Sequence, residues 1–163
     1  MIGIVDYGMG NLMSVFNAFQ YIGASVVICK QPEQLKNVER IVIPGVGAIE
    51  QCILKLTETG FVEALNENVL KYGKPTLGIC IGMQILFSQG TEHSENTAHV
   101  GVGIWDGIVS KLDAPILPHM GWNTVEANSD SVLFKGIESQ SFYFVHSYAA
   151  KKAAGKMQAW STH

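Results

Sequence analysis

The sequence predicts an α/β fold, with an open, doubly wound and mostly parallel sheet in its first half and a β-rich, partly antiparallel second half. Short apolar runs alternate with segments of helical periodicity as far as Gly90. These runs are apolar at consecutive positions, which is typical of strands that helices cover on both faces. After Gly90, strand-like runs are separated by Pro, Gly, Asn and Ser.

The first half begins with an apolar run at residues 2–5, which predicts a strand. Apolar residues then recur at helical spacing from Leu12 to Ile22, and Gly23 closes this helix. Further strands are predicted at residues 25–29, 41–43 and 76–79, and the second of these is broken by Pro44 and Gly45. Further helical segments are predicted at residues 32–37, 61–73 and 81–88.

The second half begins with a polar stretch, residues 91–99, which predicts a surface loop. Strand-like segments follow at residues 102–112, 123–127, 142–148 and 157–161. A chain of 163 residues is typical of one compact domain, so we expect residues 1–163 to form a single domain.

Composition and charge argue against several classes of function. Hydrophobic residues make up 47% of the chain and charged residues only 15%, which predicts a sizeable core. The formal net charge is −3 without a run of Lys or Arg, which argues against nucleic-acid binding. The apolar runs are too short to cross a membrane, and the N-terminus lacks a basic signal-peptide region. We therefore expect a cytoplasmic protein.

The chain has three cysteines, Cys29, Cys52 and Cys80, without CxxC spacing. This pattern predicts neither a disulfide framework nor a zinc site, and we expect no metal and no cofactor. Cys29 and Cys52 are interpreted as ordinary buried thiols. Cys80 is the candidate for a reactive thiol.

Cys80 lies in a G-x-C-x-G segment, residues 78–82, between a predicted strand and a predicted helix. The same arrangement with serine is the nucleophile elbow of α/β-hydrolases, where glycines allow a tight turn. A thiol at a helix N-terminus is favoured as the thiolate. The backbone N–H of Ile81 would point toward a developing oxyanion. The alternative is a buried structural cysteine in a glycine-rich turn.

A second glycine-rich segment, Pro44-Gly45-Val46-Gly47, follows the third predicted strand. Glycines at a strand end leave backbone N–H groups free to face a ligand. Because the third and fourth strands of a doubly wound sheet can be neighbours, this segment would place a second N–H donor beside Cys80. The alternative is a plain strand-to-helix turn.

Five segments together resemble the class I, or Triad, glutamine amidotransferases, and more narrowly the glutaminase subunits of imidazole glycerol phosphate synthase. They are Asp6-Tyr7-Gly8-Met9-Gly10-Asn11, Pro44-Gly45-Val46-Gly47-Ala48, Gly78-Ile79-Cys80-Ile81-Gly82-Met83-Gln84, Pro118-His119-Met120-Gly121-Trp122-Asn123 and Phe142-Tyr143-Phe144-Val145-His146-Ser147-Tyr148. The resemblance implies a flavodoxin-like sheet. It also implies that Cys80 attacks the amide of glutamine and that ammonia passes to a (β/α)₈ cyclase partner in a heterodimer of histidine biosynthesis.

The resemblance also implies residue roles by matching position. Gln84, Ser147 and Tyr148 would bind the amino-acid end of glutamine, and Gly47 and Ile81 would donate to the oxyanion. Asn11, Trp122 and Tyr143 match positions near the partner interface, although the two aromatic residues are equally well interpreted as core residues. His119 and His146 do not match the family's catalytic histidine, and we interpret them as structural or interface residues.

The family places its catalytic histidine and glutamate in a later Q-F-H-P-E segment, which this sequence does not contain. The sequence is therefore expected to represent a C-terminally incomplete domain. A positioned acid or base contributes about 10²–10⁴-fold in rate, so weak glutaminase activity or none is expected.

Three other functions remain open at this stage. A paralogous subunit would supply ammonia to enzymes that modify cell-surface sugars. A catalytically impaired scaffold domain would bind a partner without turnover. A cysteine hydrolase of the α/β-hydrolase type would need an acid and a histidine in that order, which Asp113 and His146 satisfy.

Overall fold

The computed structural model describes residues 1–92, 99–150 and 159–161, and a four-stranded parallel sheet forms its first half. The strands are β1 (Ile2–Val5), β2 (Val26–Cys29), β3 (Arg40–Gly45) and β4 (Thr76–Cys80), in the order β2-β1-β3-β4. Every pairing in this sheet is parallel. The predicted open parallel sheet is therefore confirmed, and β3 and β4 are neighbours whose last paired residues are Gly45 and Cys80.

Helices connect these strands, and the second and third α-helices bury side chains against the sheet. The helices are α1 (Leu12–Tyr21), a 3₁₀ helix (Pro32–Asn37), α2 (Ile49–Glu58), α3 (Phe61–Leu65) with a π-helical continuation (Asn66–Lys71), and the single turn α4 (Ile81–Gln84). The side chains that α2 and α3 bury form the core with the central strands; fully buried members are Val5, Ile43, Leu56, Phe61 and Leu65. In the part of the chain that the structure describes, no helix is long and apolar enough to cross a membrane.

The second half is built from short strands in three further sheets. The strands are β5 (Phe87–Gly90), β6 (His99–Val100), β7 (Trp105–Lys111), β8 (His119–Thr124), β9 (Glu126–Ala127), β10 (Ser141–His146), β11 (Tyr148–Ala150) and β12 (Ala159–Trp160). Their sheets have the orders β11-β7-β5-β6, β10-β8 and β12-β9. Among the described residues of this half, all pairings are antiparallel except that of β5 with β7. The predicted β-rich, partly antiparallel second half is confirmed.

Several elements differ from the sequence prediction. The third strand continues through Pro44 and Gly45 instead of ending before them. The predicted helix 81–88 ends at Gln84, because the chain then enters β5 and pairs with β7. The helix α2 was not predicted. Residues 93–98 of the predicted surface loop and residues 157–158 of the last predicted strand lie outside the described residues.

Candidate active site

A cavity of about 300 Å³ lies at the carboxyl ends of β3 and β4, where ligands bind in open α/β sheets. It brings together the predicted nucleophile, both predicted oxyanion donors and all three predicted substrate-binding residues. Its lining comprises Val46, Gly47, Cys80, Ile81, Gln84, Glu92, Val145, His146, Ser147 and Tyr148. The predicted interface residues Asn11, Trp122 and Tyr143 do not line it.

Cys80 lies at the last position of β4 in a strained backbone conformation. Its φ is 55° and its ψ is −119°, and among the described residues it is the only non-glycine residue with positive φ. Such conformations cost of order 1–3 kcal/mol and occur where function requires them. The Cys80 side chain is exposed, whereas Cys29 and Cys52 are buried. The structure therefore holds one accessible thiol, in a conformation that a purely structural cysteine would not need.

Three glycines allow α4 to pack directly on the ends of β3 and β4. A Cβ atom at Gly82 would collide with the carbonyl oxygen of Ile43, and one at Gly78 would collide with the backbone of Met83. A Cβ atom at Gly45 would collide with the backbone nitrogen of Gly82. The G-x-C-x-G spacing thus serves close backbone approach between strand and helix, as the sequence predicted.

The two predicted oxyanion donors border the cavity from different elements. Ile81 is the first residue of α4 and is 9% exposed, and Gly47 follows β3 with a φ of 87°, which favours glycine. α4 has only one turn, so it lacks the dipole of a long helix on which the expectation from the sequence relied.

The Pro44–Gly47 loop is held by contacts that sequence analysis did not identify. The Tyr7 hydroxyl donates to the Pro44 carbonyl at 2.7 Å, and the Cys52 thiol donates to the Val46 carbonyl at 3.4 Å. Burial raises the pKa of both Tyr7 and Cys52, which keeps both groups protonated as donors near neutral pH. Tyr7 lies in one of the five segments of the resemblance, but no local pattern indicates either contact, because each joins residues on different elements.

Glu92 is a further cavity residue that sequence analysis missed. Its carboxylate accepts a hydrogen bond from the backbone N–H of Ile49 at 2.8 Å, at the start of α2. The residue before this helix, Ala48, has no capping side chain, so Glu92 supplies the cap from 43 residues away. Glu92 thereby ties the start of α2, immediately after the glycine loop, to the wall of the cavity.

Gln84 projects a buried amide into the site. Only 6% of the residue is exposed, and its Nε2 donates to the Tyr148 carbonyl at 2.9 Å. Its Oε1 is buried and has no hydrogen-bond partner among the described residues. A buried acceptor without a partner is costly, so a hydrogen-bond donor that reached this oxygen would be stabilising.

A family model described as glutamine amidotransferase class-I matches residues 3–163. The chain belongs to this family. It is 46% identical over 164 residues to the imidazole glycerol phosphate synthase subunit HisH of Mycolicibacterium paratuberculosis, covering 98% of this chain and 78% of that protein. It is also 46% identical over 152 residues to the HisH subunit of Nocardia farcinica, covering 93% of this chain and 71% of that protein.

A solved structure supports the fold of the amidotransferase. A crystal structure of glutamine amidotransferase superimposes on the chain with a TM-score of 0.72, covering 97% of this chain and 78% of that one. Only 15% of the aligned residues are identical, so this similarity concerns the fold alone.

His146 lines the cavity of this amidotransferase, but its ring nitrogens are engaged elsewhere. Nδ1 lies 3.0 Å from the Tyr148 carbonyl, and Nε2 lies 3.1 Å from Nδ1 of His119. Neither nitrogen contacts Asp113, which is exposed. The interpretation as an α/β-hydrolase with an Asp113–His146 pair is therefore wrong, since a catalytic pair requires that contact.

The predicted interface residues of the amidotransferase lie away from the cavity. Trp122 and Tyr143 face each other across β8 and β10, with ring centroids 5.6 Å apart, and are 73% and 55% exposed. They are not core residues, so that alternative interpretation is wrong. Asn11 caps α1 through its side-chain oxygen, which accepts from the Ser14 N–H at 3.2 Å. This contact gives Asn11 a structural role whether or not it contacts a partner.

Proposed function

We propose that this amidotransferase is a glutaminase subunit that hydrolyses glutamine to glutamate and ammonia and delivers the ammonia to a (β/α)₈ cyclase for imidazole glycerol phosphate synthesis. The observation that carries the proposal is the exposed, strained Cys80 beside Gly47, Ile81 and Gln84 in one cavity. The names of the similar proteins supply the pathway, histidine biosynthesis.

The reaction would begin when the Cys80 thiolate attacks the side-chain carbonyl carbon of glutamine. The N–H groups of Gly47 and Ile81 would stabilise the negative oxygen of the tetrahedral intermediate. The C–N bond then breaks, the nitrogen takes up a proton and leaves as ammonia, and a thioester to Cys80 remains. Water attacks this thioester and releases glutamate and the free thiol.

The amino-acid end of glutamine would be held on the side of the cavity opposite the glycine loop. We propose that Gln84 Oε1 accepts a hydrogen bond from the α-ammonium group of the substrate, which is the donor that this buried oxygen lacks. Ser147 and Tyr148, which follow β10, would contribute backbone groups to the same end. The carboxamide would then extend toward Cys80.

The partner surface would be the outer face of the β8–β10 ribbon. Four side chains on this face are half or more exposed: Met120, Trp122, Tyr143 and Val145. Aromatic residues and Met are enriched at protein interfaces, and a contiguous exposed apolar patch favours a partner. We propose that this face binds the cyclase in a heterodimer. We also propose that the protein is located in the cytoplasm and binds neither nucleic acid nor a membrane.

We further propose that residues 1–163 supply the nucleophile and the glutamine pocket of the domain but turn over slowly. Among the described residues, the histidine that lines the cavity is His146, and both of its nitrogens are engaged. Release of ammonia and activation of water need a positioned acid or base. We expect glutaminase activity to stay low even with the cyclase bound, and rapid turnover in a glutaminase assay would contradict this.

Covalent labelling tests the proposed function without requiring turnover. An electrophilic diazoketone analogue of glutamine should add once to the chain, as measured by intact mass, and peptide mapping should place it on Cys80. The Cys80→Ala variant should not react, whereas the Cys29→Ala variant should react like the parent protein. If iodoacetamide modifies Cys80 but the glutamine analogue does not, the proposal fails and a scaffold role is favoured.

The relative affinity for two different cyclases distinguishes a role in histidine biosynthesis from the paralogous role in cell-surface sugar modification. Calorimetry with a histidine-pathway cyclase should show one-to-one binding, and a cyclase paralogue from a polysaccharide gene cluster should bind more weakly. The reverse order of affinity would favour the paralogous role.

A further inference from the structure

A chain of hydrogen bonds runs from the β8–β10 ribbon to the glutamine pocket. His119 Nδ1 lies 3.1 Å from His146 Nε2, and His146 Nδ1 lies 3.0 Å from the Tyr148 carbonyl oxygen. The same carbonyl accepts from Gln84 Nε2 at 2.9 Å. The proposed function uses Tyr148 and Gln84, at the end of this series of hydrogen bonds, but not the pair His119 and His146.

The chemistry of the groups fixes the direction of each hydrogen bond. A carbonyl oxygen only accepts, so His146 must carry its proton on Nδ1. In the neutral ring Nε2 is then an acceptor, and His119 must donate from its own Nδ1. For the same reason the Gln84 amide must direct its NH₂ group to Tyr148. Its oxygen consequently points away from that carbonyl, as an acceptor without a protein partner.

The histidine pair is itself held in place by packing. His119 is 6% exposed and stacks on the Phe144 ring, with centroids 4.8 Å apart and an interplanar angle of 19°. His119 and His146 occupy directly paired positions of β8 and β10. A pair fixed by strand register and ring stacking gives the Tyr148 carbonyl a fixed position, although that carbonyl lies just beyond the end of the ribbon.

We infer that His146, supported by His119, is a positioning residue for glutamine binding: it fixes the Tyr148 carbonyl, which in turn orients the Gln84 amide with its oxygen toward the substrate ammonium. This inference rests on the proposed function. His146 contacts no reacting atom in this scheme, and its effect reaches the substrate through Tyr148 and Gln84. Replacement of His146 should weaken recognition of the ammonium group and leave the reactivity of Cys80 unchanged.

The test separates binding from reaction in the labelling of the full chain by the diazoketone analogue. The rate is measured as a function of analogue concentration, which gives an apparent dissociation constant and a maximal rate. His146→Phe keeps the ring volume but removes both nitrogens, and it should raise the dissociation constant about 10-fold with little change in the maximal rate. His146→Asn retains a donor near the Nδ1 position and should recover most of the affinity.

Two controls make the result specific. An analogue that lacks the α-amino group should bind weakly to all three proteins and show no dependence on residue 146. Iodoacetamide should modify Cys80 at the same rate in each. An unchanged dissociation constant for His146→Phe would overturn the inference, whereas failure of the parent protein to react with the analogue would overturn the proposed function instead.

A second measurement does not depend on whether the variants fold. Long-range ¹H–¹⁵N spectra of the ¹⁵N-histidine-labelled protein at pH 8 distinguish the two neutral tautomers of each imidazole ring. His146 and His119 should both show the Nδ1–H form. An Nε2–H form of His146 would overturn the inference, because that ring cannot then donate to the Tyr148 carbonyl.

Discussion

Cys80 combines two properties that a core cysteine does not need, an exposed thiol and a left-handed φ. The strain is tolerated because backbone contacts on both sides hold the turn, through Gly45, Gly78 and Gly82. Stability and reactivity therefore make opposite demands at this residue. Substitutions at Cys80 and at Gly82 test the contributions of this turn to stability and to reactivity.

Replacement of Cys80 by glycine should stabilise the protein and abolish labelling by the glutamine analogue. Glycine adopts a φ of 55° without strain, and the exposed side chain contributes little packing. We expect a gain of about 1 kcal/mol in the free energy of unfolding, measured by urea denaturation. The matched control Cys80→Ala keeps the strain and should show no such gain. Equal stability of the two variants would contradict the interpretation of strain.

Replacement of Gly82 by alanine should disrupt the elbow. The new methyl group would overlap the Ile43 carbonyl oxygen, which belongs to β3 and cannot move without displacing the sheet. We expect a loss of about 1–3 kcal/mol in the free energy of unfolding, as for other overpacked sites, together with slower labelling of Cys80. Gly23→Ala is a useful comparison, because it has positive φ but open space around the position of the added methyl group. Its strain should lower stability without changing the labelling rate.

At the scale of elements, the connection from β3 to α2 explains why part of the fold was predictable and part was not. The strands of the parallel sheet are short apolar runs bounded by Gly and Pro, and these local signals predicted them. The apolar positions Ile49, Cys52 and Leu56 of α2 have helical spacing, but the helix lacks a local capping residue. Its cap is Glu92, which no local pattern connects to it.

The short helix α4 shows a different limit of prediction. An apolar run of this length is compatible with either a helix or a buried strand, and periodicity alone does not distinguish them. In the structure the chain leaves the helix after Gln84 and forms β5, where Phe87 and Gly90 pair with β7. The pairing partner lies in a later part of the sequence, so tertiary contacts decided the outcome.

The two buried thiols and the buried Tyr7 hydroxyl predict how stability changes with pH. Burial raises the pKa of Cys29 and Cys52 above the ordinary value of 9.0, and that of Tyr7 above 10.0. The folded state keeps these groups protonated while the unfolded chain loses protons, so these three groups leave the free energy of unfolding unchanged below about pH 9 and lower it above. Each group contributes at most about 1.4 kcal/mol per pH unit.

Urea denaturation between pH 8 and 11 measures this dependence. The Cys52→Ala variant is less stable throughout, but its stability should fall less steeply above about pH 9 because one titrating group is gone. Lys55→Ala, on the same helix but with an exposed side chain, should keep the slope of the parent protein. A slope for Cys52→Ala equal to that of the parent protein would contradict the assignment.

At the scale of the whole molecule, the β8–β10 ribbon predicts how the partner binds. Trp122→Ala removes the most exposed aromatic side chain of its outer face and should weaken cyclase binding by at least about 10-fold in calorimetry. The melting temperature and the labelling of Cys80 should not change, since Trp122 lies outside both the core and the cavity. Tyr21→Ala, a 93% exposed aromatic at the far end of α1, should leave binding unchanged. Equal effects of the two variants would argue against the ribbon as the interface.

The candidate site was more predictable than the contacts that support it. Cys80, Gly47 and Gln84 lie in segments whose pattern and resemblance indicated them, and the structure brings them into one cavity. Of their supports, Tyr7 lies in another of these segments and Glu92 in none, and the contacts of both join residues far apart in the chain. A sequence shows a motif directly, whereas a supporting hydrogen bond exists only once the fold has brought distant residues together.

Side chains alternate between the two faces of the β8–β10 ribbon, so a change in strand length affects both faces. His119, Phe144 and His146 lie on one face of the ribbon, whereas Trp122 and Tyr143 lie on the other, because successive residues of a strand point in opposite directions. An insertion of one residue within either strand would reverse this order beyond the insertion, turning the indole or phenol inward and the imidazole toward solvent. Side chains on each face of the ribbon can therefore be exchanged independently, whereas a change of one residue in strand length alters both faces at once.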